Sequence, residues 1–262
     1  MADWLEFEEK CTAYLNKNFG HKATFRHMGG ADSTVPDIHV VTKTGKKFYM
    51  DAKMTPSACG QFVLQPIVST STFVFSENNK TGISPEVQAI IRHMNQDFEA
   101  YKEAGTAGKD INLGDDGKTF FRWIIATYLQ KGAEFFITND FTILPTRDLP
   151  KHFTVTAKYR TKRSGSRPAG VKAAPLVYQY ILTQNFSVYD RRIAKDKLYV
   201  YSTDQIHNKR FVYDGYEYMF SARGERYEVR KLSNTFNANV IFSICKNNRA
   251  GLTAAEFERS LD

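Results

Sequence analysis

Apolar and polar positions along the first 144 residues repeat with two different periods, which mark a series of helices and strands. Residues 3–18 carry an apolar side chain every three or four positions, which predicts an amphipathic helix. Asp3 is suited to cap its start, and Gly20 is suited to end it. Three runs with a period of two follow, and these predict β-strands, the first of them at residues 21–26.

The second and third strands form a predicted hairpin, because the short turn 42–46 contains Gly45 to supply the bend. Pro36 opens the second strand, where its missing N–H costs no ladder hydrogen bond. Along the third strand side chains alternate, so Asp51 and Lys53 share one face, which is predicted to be exposed. The opposite face is apolar and is predicted to lie against a core; it holds Phe48, Met50, Ala52 and Met54.

Two helices and a strand are predicted next. Ser84 and Pro85 make a helix start with a capping serine and a proline at the first helical position. The apolar stripe of this helix continues to Gly105. Residues 120–129 are apolar almost throughout, which predicts a helix buried on more than one side. A short strand at 134–138 completes an α/β order of elements.

The remaining residues have a different character, rich in predicted strands. A hairpin at 211–220 turns on Asp214 and Gly215, a strong two-residue turn signal. A last helix begins with a capping box formed by Thr253 and Glu256. Further strands are predicted at 152–160, 176–182, 198–202, 226–232 and 240–245. We therefore predict a core at residues 1–144 and a β-rich region at 145–262, or one continuous domain that combines them.

Charge separates these two regions more sharply than hydropathy does. Residues 1–144 carry 15 Lys and Arg against 17 Asp and Glu, a net charge of −2, whereas residues 145–262 carry 21 against 11, a net charge of +10. An excess of this kind predicts a surface that binds a polyanion. Nucleic acid is favoured over a membrane surface because no basic amphipathic helix is present.

The densest basic stretch is 158–172, which contains no acidic residue. Small residues and Pro168 separate its basic side chains, so the segment is predicted to be a flexible arm that contacts DNA phosphates or enters a groove. A simple solvated loop is the alternative. The predicted DNA-binding residues are Lys158, Arg160, Lys162, Arg163, Arg167 and Lys172.

Several classes of protein are disfavoured by the sequence. Three widely spaced cysteines, Cys11, Cys59 and Cys245, make neither a disulfide framework nor a zinc site, which favours a reducing cytoplasm. The acidic, amphipathic start is no signal peptide, and no apolar run has membrane-spanning length. Without a phosphate-cradling Gly-x-x-x-x-Gly-Lys motif, no use of ATP is expected.

The candidate chemistry lies in the predicted hairpin. Its return brings Asp37 next to Asp51 and Lys53, and two converging carboxylates are costly unless a cation or a proton lies between them. Mg²⁺ suits such an oxygen-only pair, because it binds through one or two carboxylates and keeps several waters. A neighbouring lysine can orient or deprotonate a water, or stabilise charge on a phosphate.

This pattern, Pro36-Asp37, thirteen residues, then Asp51-Ala52-Lys53, resembles the PD-(D/E)XK nuclease superfamily. A Gly29-Gly30-x-x-Ser loop before it and an amphipathic helix at the start agree with the family arrangement. The resemblance implies an α/β, restriction-endonuclease-like core, in which a mixed central sheet is flanked by helices, followed here by the β-rich basic C-terminal region.

Two more site residues are implied by the resemblance. The first helix of the family often supplies another acid to the metal site, which makes Glu8 a candidate ligand beside Asp37 and Asp51, with Glu6 and Glu9 as competitors. Family members often place a polar residue, commonly Gln, shortly after the lysine. Gln61 is therefore a candidate catalytic residue, with Gln65 as the reserve.

The resemblance implies a Mg²⁺-dependent endonuclease for double-stranded DNA, most simply a type II restriction enzyme, and the number of metal ions stays open. Such enzymes commonly act as symmetric homodimers on palindromic sites. One alternative is a repair, recombination or phage nuclease of the same fold without fixed sequence specificity. A second is a non-catalytic DNA-binding module, against which the intact Asp37, Asp51 and Lys53 argue.

Overall fold

The computed structural model of the chain describes residues 3–28, 35–163, 165–213, 215–234 and 236–262, with the side chains of Asp3, Lys162 and Phe236 left undescribed. Four predicted features lie outside the described residues and side chains. They are the Gly29-Gly30 loop, the capping side chain of Asp3, the side chain of Lys162, and Asp214 in the hairpin turn.

The described residues form both helices and strands. The helices are α1 (Asp3–Phe19), α2 (Pro85–Asn95), α3 (Phe98–Lys102), α4 (Lys118–Gln130), α5 (Leu149–His152), α6 (Ala174–Thr183) and α7 (Ala254–Ser260). The first eight strands are β1 (Ala23–His27), β2 (Ile38–Thr42), β3 (Lys47–Lys53), β4 (Ser57–Ile67), β5 (Thr72–Phe75), β6 (Lys109–Ile111), β7 (Ala133–Thr138) and β8 (Ile143–Pro145). The others are β9 (Phe153–Arg163), β10 (Ser166–Pro168), β11 (Val188–Ala194), β12 (Lys197–Ser202), β13 (Arg210–Tyr213), β14 (Tyr216–Arg223), β15 (Arg226–Leu232) and β16 (Phe236–Lys246).

The chain divides into two compact units. The first unit holds Met1–Arg160 and Ala238–Asp262, and the second holds Thr161–Asn237. The second unit is therefore an insertion, which the chain enters at the end of β9 and leaves at the start of β16. The predicted boundary after residue 144 falls inside the first unit, because composition reports the change in charge and not the partners of each strand.

Two five-stranded sheets form the framework of the first unit. One sheet has the order β1-β2-β3-β7-β8, and the other has the order β5-β4-β16-β9-β6. In the first sheet β3 pairs antiparallel with β2 and parallel with β7, so it is the central strand of a mixed sheet. A mixed sheet with flanking helices is the architecture that the sequence predicts.

Two apolar cores hold these layers together. Leu15 of α1 and Phe257 of α7 pack with Met50 and other residues on one face of the first sheet. Trp123 of α4 packs with Phe242 of β16, with ring centroids 4.6 Å apart, in the other core. Since α4 contributes residues from several sides to this core, its predicted burial on more than one side is confirmed.

The second unit is built on one antiparallel sheet of six strands. Its main order is β11-β12-β15-β14-β13, and β10 pairs with β15 beyond the end of β12. Helix α6 covers one face, where Val177 and Ile181 pack against Val200 and Phe220. This unit carries 14 Lys and Arg against 7 Asp and Glu, a net charge of +7, so nearly all of the net charge of +8 belongs to it.

Local sequence signals are confirmed where they are strong. The hairpin of β2 and β3 forms with Gly45 in its turn at a φ of +90°. Ser84 accepts a hydrogen bond from the Val87 N–H at the start of α2, and the capping box of Thr253 and Glu256 begins α7.

Two predictions about the second half are wrong, and one strand of the first half is not predicted at all. Residues 176–182 lie in helix α6 rather than in a strand, because Pro175 begins a helix and Val177 and Ile181 form one buried helical face. The segment 158–172 is no flexible loop, since β9 continues to Arg163 and β10 follows. The long strand β4 is absent from the predicted elements, because its apolar positions are interrupted by Gly60 and Gln61.

Among the described residues, no helix has the length and apolar character needed to cross a membrane.

Gly60→Ala is expected to destabilise the first unit more than Gly45→Ala does. Both glycines have a positive φ, +98° and +90°, but a Cβ on Gly60 would lie 2.8 Å from the Trp123 ring, whereas a Cβ on Gly45 would meet nothing within 4 Å. Gly45→Ala should cost about 1–2 kcal/mol through backbone strain, and Gly60→Ala about 1–3 kcal/mol more through the clash. Chemical denaturation measures both, and equal losses would show that the tryptophan moves aside freely.

Candidate active site

The site forms where β3 ends beside the start of β2. The register pairs Ile38 with Met50, which places Asp37, the residue before β2, next to the last residues of β3. The backbone N–H of Ala52 donates a hydrogen bond of 2.8 Å to Oδ2 of Asp37. This bond holds the carboxylate of Asp37 against the residue that separates Asp51 from Lys53.

Asp51 and Lys53 are buried, which differs from the exposed strand face predicted for them. Their side chains are 7% and 15% exposed. The prediction fails because β7 pairs alongside β3 and Tyr128 of α4 lies against Lys53, with Nζ 5.4 Å from the ring centroid. Met54, predicted to be in a core, is instead 44% exposed, since it lies beyond the end of the strand.

Lys53 and Asp51 form an ion pair through Nζ and Oδ2. Oδ2 of Asp51 is buried, and the ammonium of Lys53 is the group that the described residues place against it. The pair is therefore a close contact between two opposite charges removed from water.

The surroundings of Asp37 raise the pKa of its carboxyl above the usual value. Burial raises the pKa of its carboxyl to about 7, and the charge of Asp51 adds to this, whereas Lys53 and the Ala52 N–H act against it. A second negative charge next to Asp51 is thus disfavoured when no cation is present.

The pKa of Lys53 is raised well above its usual value. Burial by itself disfavours the ammonium form, but the attraction of Asp51 outweighs it. Lys53 is therefore a protonated ammonium group in this arrangement.

Tyr128 and Cys59 belong to the surroundings of this ion pair, although the sequence does not identify them. Burial raises the pKa of Tyr128 well above its usual value and that of the Cys59 thiol to about 12, and Asp51 acts in the same direction on both. Both groups are therefore neutral neighbours of a buried charge pair. Tyr128 belongs to the apolar stripe of a helix and Cys59 to an unpredicted strand, so no sequence signal separates them from ordinary core residues.

Glu8 is the acid of α1 that the structure places closest to this cluster. It is 8% exposed, and its Oε2 lies 2.9 Å from Nε2 of His27. Burial raises the pKa of Cys11 to about 12, and the charges of Asp37 and Glu8 contribute, which places all three groups near one another. His27, at the end of β1, is a second residue that sequence reasoning missed, although it directly precedes the loop leading to Asp37.

The competing acids and the candidate glutamines are exposed, unlike Glu8. Glu6 is exposed and pairs with Lys10, and Glu9 is exposed. Gln61 and Gln65 are exposed on β4, and within the described residues no hydrogen bond joins either of them to Asp37, Asp51 or Lys53. A catalytic role for Gln61 stays a prediction without a supporting contact.

The residues present fit a Mg²⁺ ion. Burial and the charge of Asp51 raise the pKa of Asp37, and a cation between the two carboxylates would relieve their repulsion. In the part of the chain that the structure describes, no three His, Cys, Asp or Glu side chains are grouped to hold a metal. Mg²⁺ does not need such a group, since one or two carboxylates with water and phosphate suffice. Glu8 stays a predicted ligand.

The predicted DNA-binding residues do not form one arm. Lys158 and Arg160 lie in the first unit, whereas Arg163, Arg167 and Lys172 lie in the second. Lys158 pairs with Asp110 at 3.3 Å, and Nε of Arg160 is buried without a hydrogen-bond partner among the described residues.

The three basic residues in the second unit differ in their surroundings. Arg163 forms an ion pair with Glu217 and donates a 2.8 Å hydrogen bond to the Ser233 carbonyl, so its charge is largely compensated within the protein. Arg167 and Lys172 are exposed. The side chain of Lys162 lies outside the description.

Asp37→Asn is expected to stabilise the metal-free protein at pH 8 relative to wild type, and to do so less at pH 5. The folded protein holds a proton on Asp37 up to about pH 7, whereas the unfolded chain loses it near pH 4. Wild-type stability therefore falls as the pH rises between these values, and an asparagine, which can still accept from the Ala52 N–H, removes the loss. We expect a gain of roughly 1–3 kcal/mol at pH 8, since one pKa unit corresponds to about 1.4 kcal/mol.

Thermal unfolding in EDTA across this pH range measures the effect. Glu9→Gln, which removes an exposed acid of α1, serves as the control and should follow wild type at every pH. If Asp37→Asn also follows wild type, the Asp37 carboxyl is solvated and ionised, and the described coupling to Asp51 is absent.

Comparisons with known proteins are consistent with this geometry. No protein-family profile matches the chain, and no curated protein sequence matches it. One solved structure that does match is HhaI endonuclease in complex with DNA. It is 38% identical in sequence, the match covers 98% of this chain and 96% of that chain, and the TM-score is 0.81. The match supports a restriction-endonuclease-like fold. Given this identity over almost the full length of both chains, the protein belongs to the family of the HhaI endonuclease.

Proposed function

We propose that this protein is a Mg²⁺-dependent endonuclease that hydrolyses phosphodiester bonds of double-stranded DNA at a short specific sequence, as a type II restriction enzyme does. The observation that carries the proposal is the convergence of Asp37, Asp51 and Lys53 at the buried end of β3. Membership in a family that includes an endonuclease solved with DNA supports the substrate class.

Asp37 and Asp51 would hold the metal, with Glu8 as a further candidate ligand. The Ala52 N–H bond to Asp37 fixes the position of one carboxylate, so a metal ion would find its ligands arranged in advance. When bound, Mg²⁺ supplies polarisation of a phosphate oxygen and lowers the pKa of a coordinated water.

Lys53 would act on the phosphate or on the attacking water. Because its pKa lies well above the usual value, the ammonium form favours stabilisation of the negative charge that develops on the phosphate in the transition state. The buried surroundings provided by Tyr128 and Cys59 strengthen this electrostatic effect, since charges interact more strongly away from water.

The basic second unit would supply much of the affinity for DNA. Its net charge of +7 suits contact with a phosphate backbone, and its strands offer side chains for reading base edges. We also propose a homodimer, because a two-fold symmetric protein matches a palindromic site. Gel filtration with light scattering would test this part independently of cleavage.

Cleavage of a panel of plasmid and phage DNA in Mg²⁺ should give discrete fragments with wild type and none with Asp51→Asn. Lys53→Met should lower the rate by about 100-fold or more, the scale seen when one group that stabilises transition-state charge is removed. Lys46→Met is the matched control, because Lys46 precedes the same strand and makes an exposed ion pair with Glu134. It should cleave as wild type does.

Other outcomes would redirect the proposal. A smear that depends on Asp51 would indicate a nuclease without fixed sequence specificity. Undiminished cleavage by Asp51→Asn would place the catalytic centre elsewhere. Salt-sensitive DNA binding by wild type without any cleavage in Mg²⁺ would contradict a nuclease and leave a DNA-binding module.

A further inference from the structure

An open cavity of about 410 Å³ lies in the second unit between β10 and the end of β15. Its lining is mostly polar and includes Arg167, Lys231, Ser166 and Tyr216. Its volume falls in the range of cavities that bind small ligands or parts of larger ones. It belongs wholly to the second unit, so it is separate from the cluster at the end of β3.

Two positive side chains of this cavity's lining are neighbours on adjacent strands. Arg167 and Lys231 are direct partners in the antiparallel register of β10 and β15, so both side chains leave the sheet on the same face. Like charges placed directly opposite each other on neighbouring strands destabilise a sheet. Within the described residues, neither Arg167 nor Lys231 has an acidic partner. An anion between them would remove the repulsion.

Most other arginines of the second unit, in contrast to Arg167, have an acidic partner. Five of them pair in this way: Arg163 and Arg210 with Glu217, Arg192 with Asp190, and Arg223 and Arg230 with Glu228. One acid shared by two arginines thus occurs twice in this unit. Arg167 and Lys231 have no acid of this kind among the described residues.

Hydrogen bonds between β10 and β15 fix the shape of the cavity. Arg230 donates hydrogen bonds from Nε to the Ser166 hydroxyl, at 2.8 Å, and from Nη2 to the Ser166 carbonyl, at 2.5 Å. Its remaining Nη1 pairs with the buried Glu228 at 2.6 Å. These contacts fix β10 against β15, and therefore fix Arg167 opposite Lys231 before any ligand arrives.

The donors in the cavity suit a phosphate group. The guanidinium of Arg167 can bind two phosphate oxygens at once, and Lys231, whose Nζ lies 3.1 Å from the Tyr216 ring centroid, adds a point charge. The Ser166 hydroxyl accepts from Arg230, which leaves its own proton for a ligand.

We propose that this cavity binds one phosphate of the DNA backbone through Arg167 and Lys231 together. The choice of DNA rests on the proposed function, whereas the choice of phosphate rests on the cavity alone. Arg167 is thereby assigned a partner, Lys231, that lies 64 residues later in the chain and outside the basic stretch 158–172.

The test measures duplex binding by the full-length protein in EDTA, by fluorescence anisotropy over a series of salt concentrations. Loss of one phosphate contact lowers the slope of log affinity against log salt by about 0.9. Arg167→Ala and Lys231→Ala should each reduce the slope by up to this amount. The double variant should reduce it by no more than about 0.9 in total, because one phosphate is lost in every case.

Lys195→Ala is the matched control, since it removes one exposed positive charge from the turn between β11 and β12 in the same unit. It should leave the slope unchanged. Wild-type slopes in the cavity variants, or an equal loss in Lys195→Ala, would overturn the proposal. A double-variant loss of two full contacts would also overturn it, because Arg167 and Lys231 would then bind different phosphates.

A second measurement separates a backbone phosphate from free phosphate. Inorganic phosphate, compared with chloride at equal ionic strength, should raise the melting temperature of wild type but not of the double variant. If this difference appears while duplex binding is the same in both proteins, the cavity serves free phosphate and the DNA proposal fails. If phosphate stabilises both proteins equally and the slopes agree, the site does not exist.

Failure of the site and failure of the nuclease proposal can be told apart. Changed slopes in a protein that does not cleave DNA in Mg²⁺ would support the phosphate site and contradict the nuclease. Cleavage that depends on Asp51, with wild-type slopes in the cavity variants, would support the nuclease and overturn the phosphate site.

Discussion

The buried contact between Asp51 and Lys53 at the end of β3 constrains the whole first unit. Removing an ammonium and a carboxylate from water is expensive, and loss of either partner of such a pair typically costs about 3–5 kcal/mol because the other charge stays buried alone. Here a second carboxyl, that of Asp37, lies beside the pair, and the charge of Asp51 contributes to its raised pKa. The surrounding fold therefore holds two carboxyl groups close together around one ammonium.

The sheet and the helices explain how this arrangement is maintained. β3 is the central strand, with β2 on one side and β7 on the other, so Asp51 and Lys53 have little freedom to turn towards solvent. The Ala52 N–H fixes Asp37 beside them, while Met50 anchors the opposite face of the strand in the core with α1. Neighbouring buried carboxyl groups with a raised pKa, kept in place by a well-packed scaffold, are typical of sites that bind a ligand or a metal.

The second unit has to accommodate an excess of positive charge. It carries almost all of the excess positive charge, and it keeps most of its arginines compatible with folding by pairing them with a few acids such as Glu217 and Glu228. Arg167 and Lys231 are neighbouring cations without such an acid among the described residues, so solvent or a bound anion has to balance the repulsion between them. The contrast between paired and unpaired cations is therefore more informative than the net charge.

The sequence by itself determined the features that depend on near neighbours in the chain. Helix caps, the turn at Gly45 and the alternation along β3 are local, so the hairpin that joins Asp37, Asp51 and Lys53 could be predicted from them. Tertiary structure decided what distant segments contribute. Three features depend on packing partners: the insertion of the second unit between β9 and β16, the helical state of residues 174–183, and the place of Glu8 near Asp37. The burial of Asp51 and Lys53 also depends on distant segments. Period-two alternation shows which side chains share a face of β3, but packing against β7 and α4 determines whether that face is exposed to solvent.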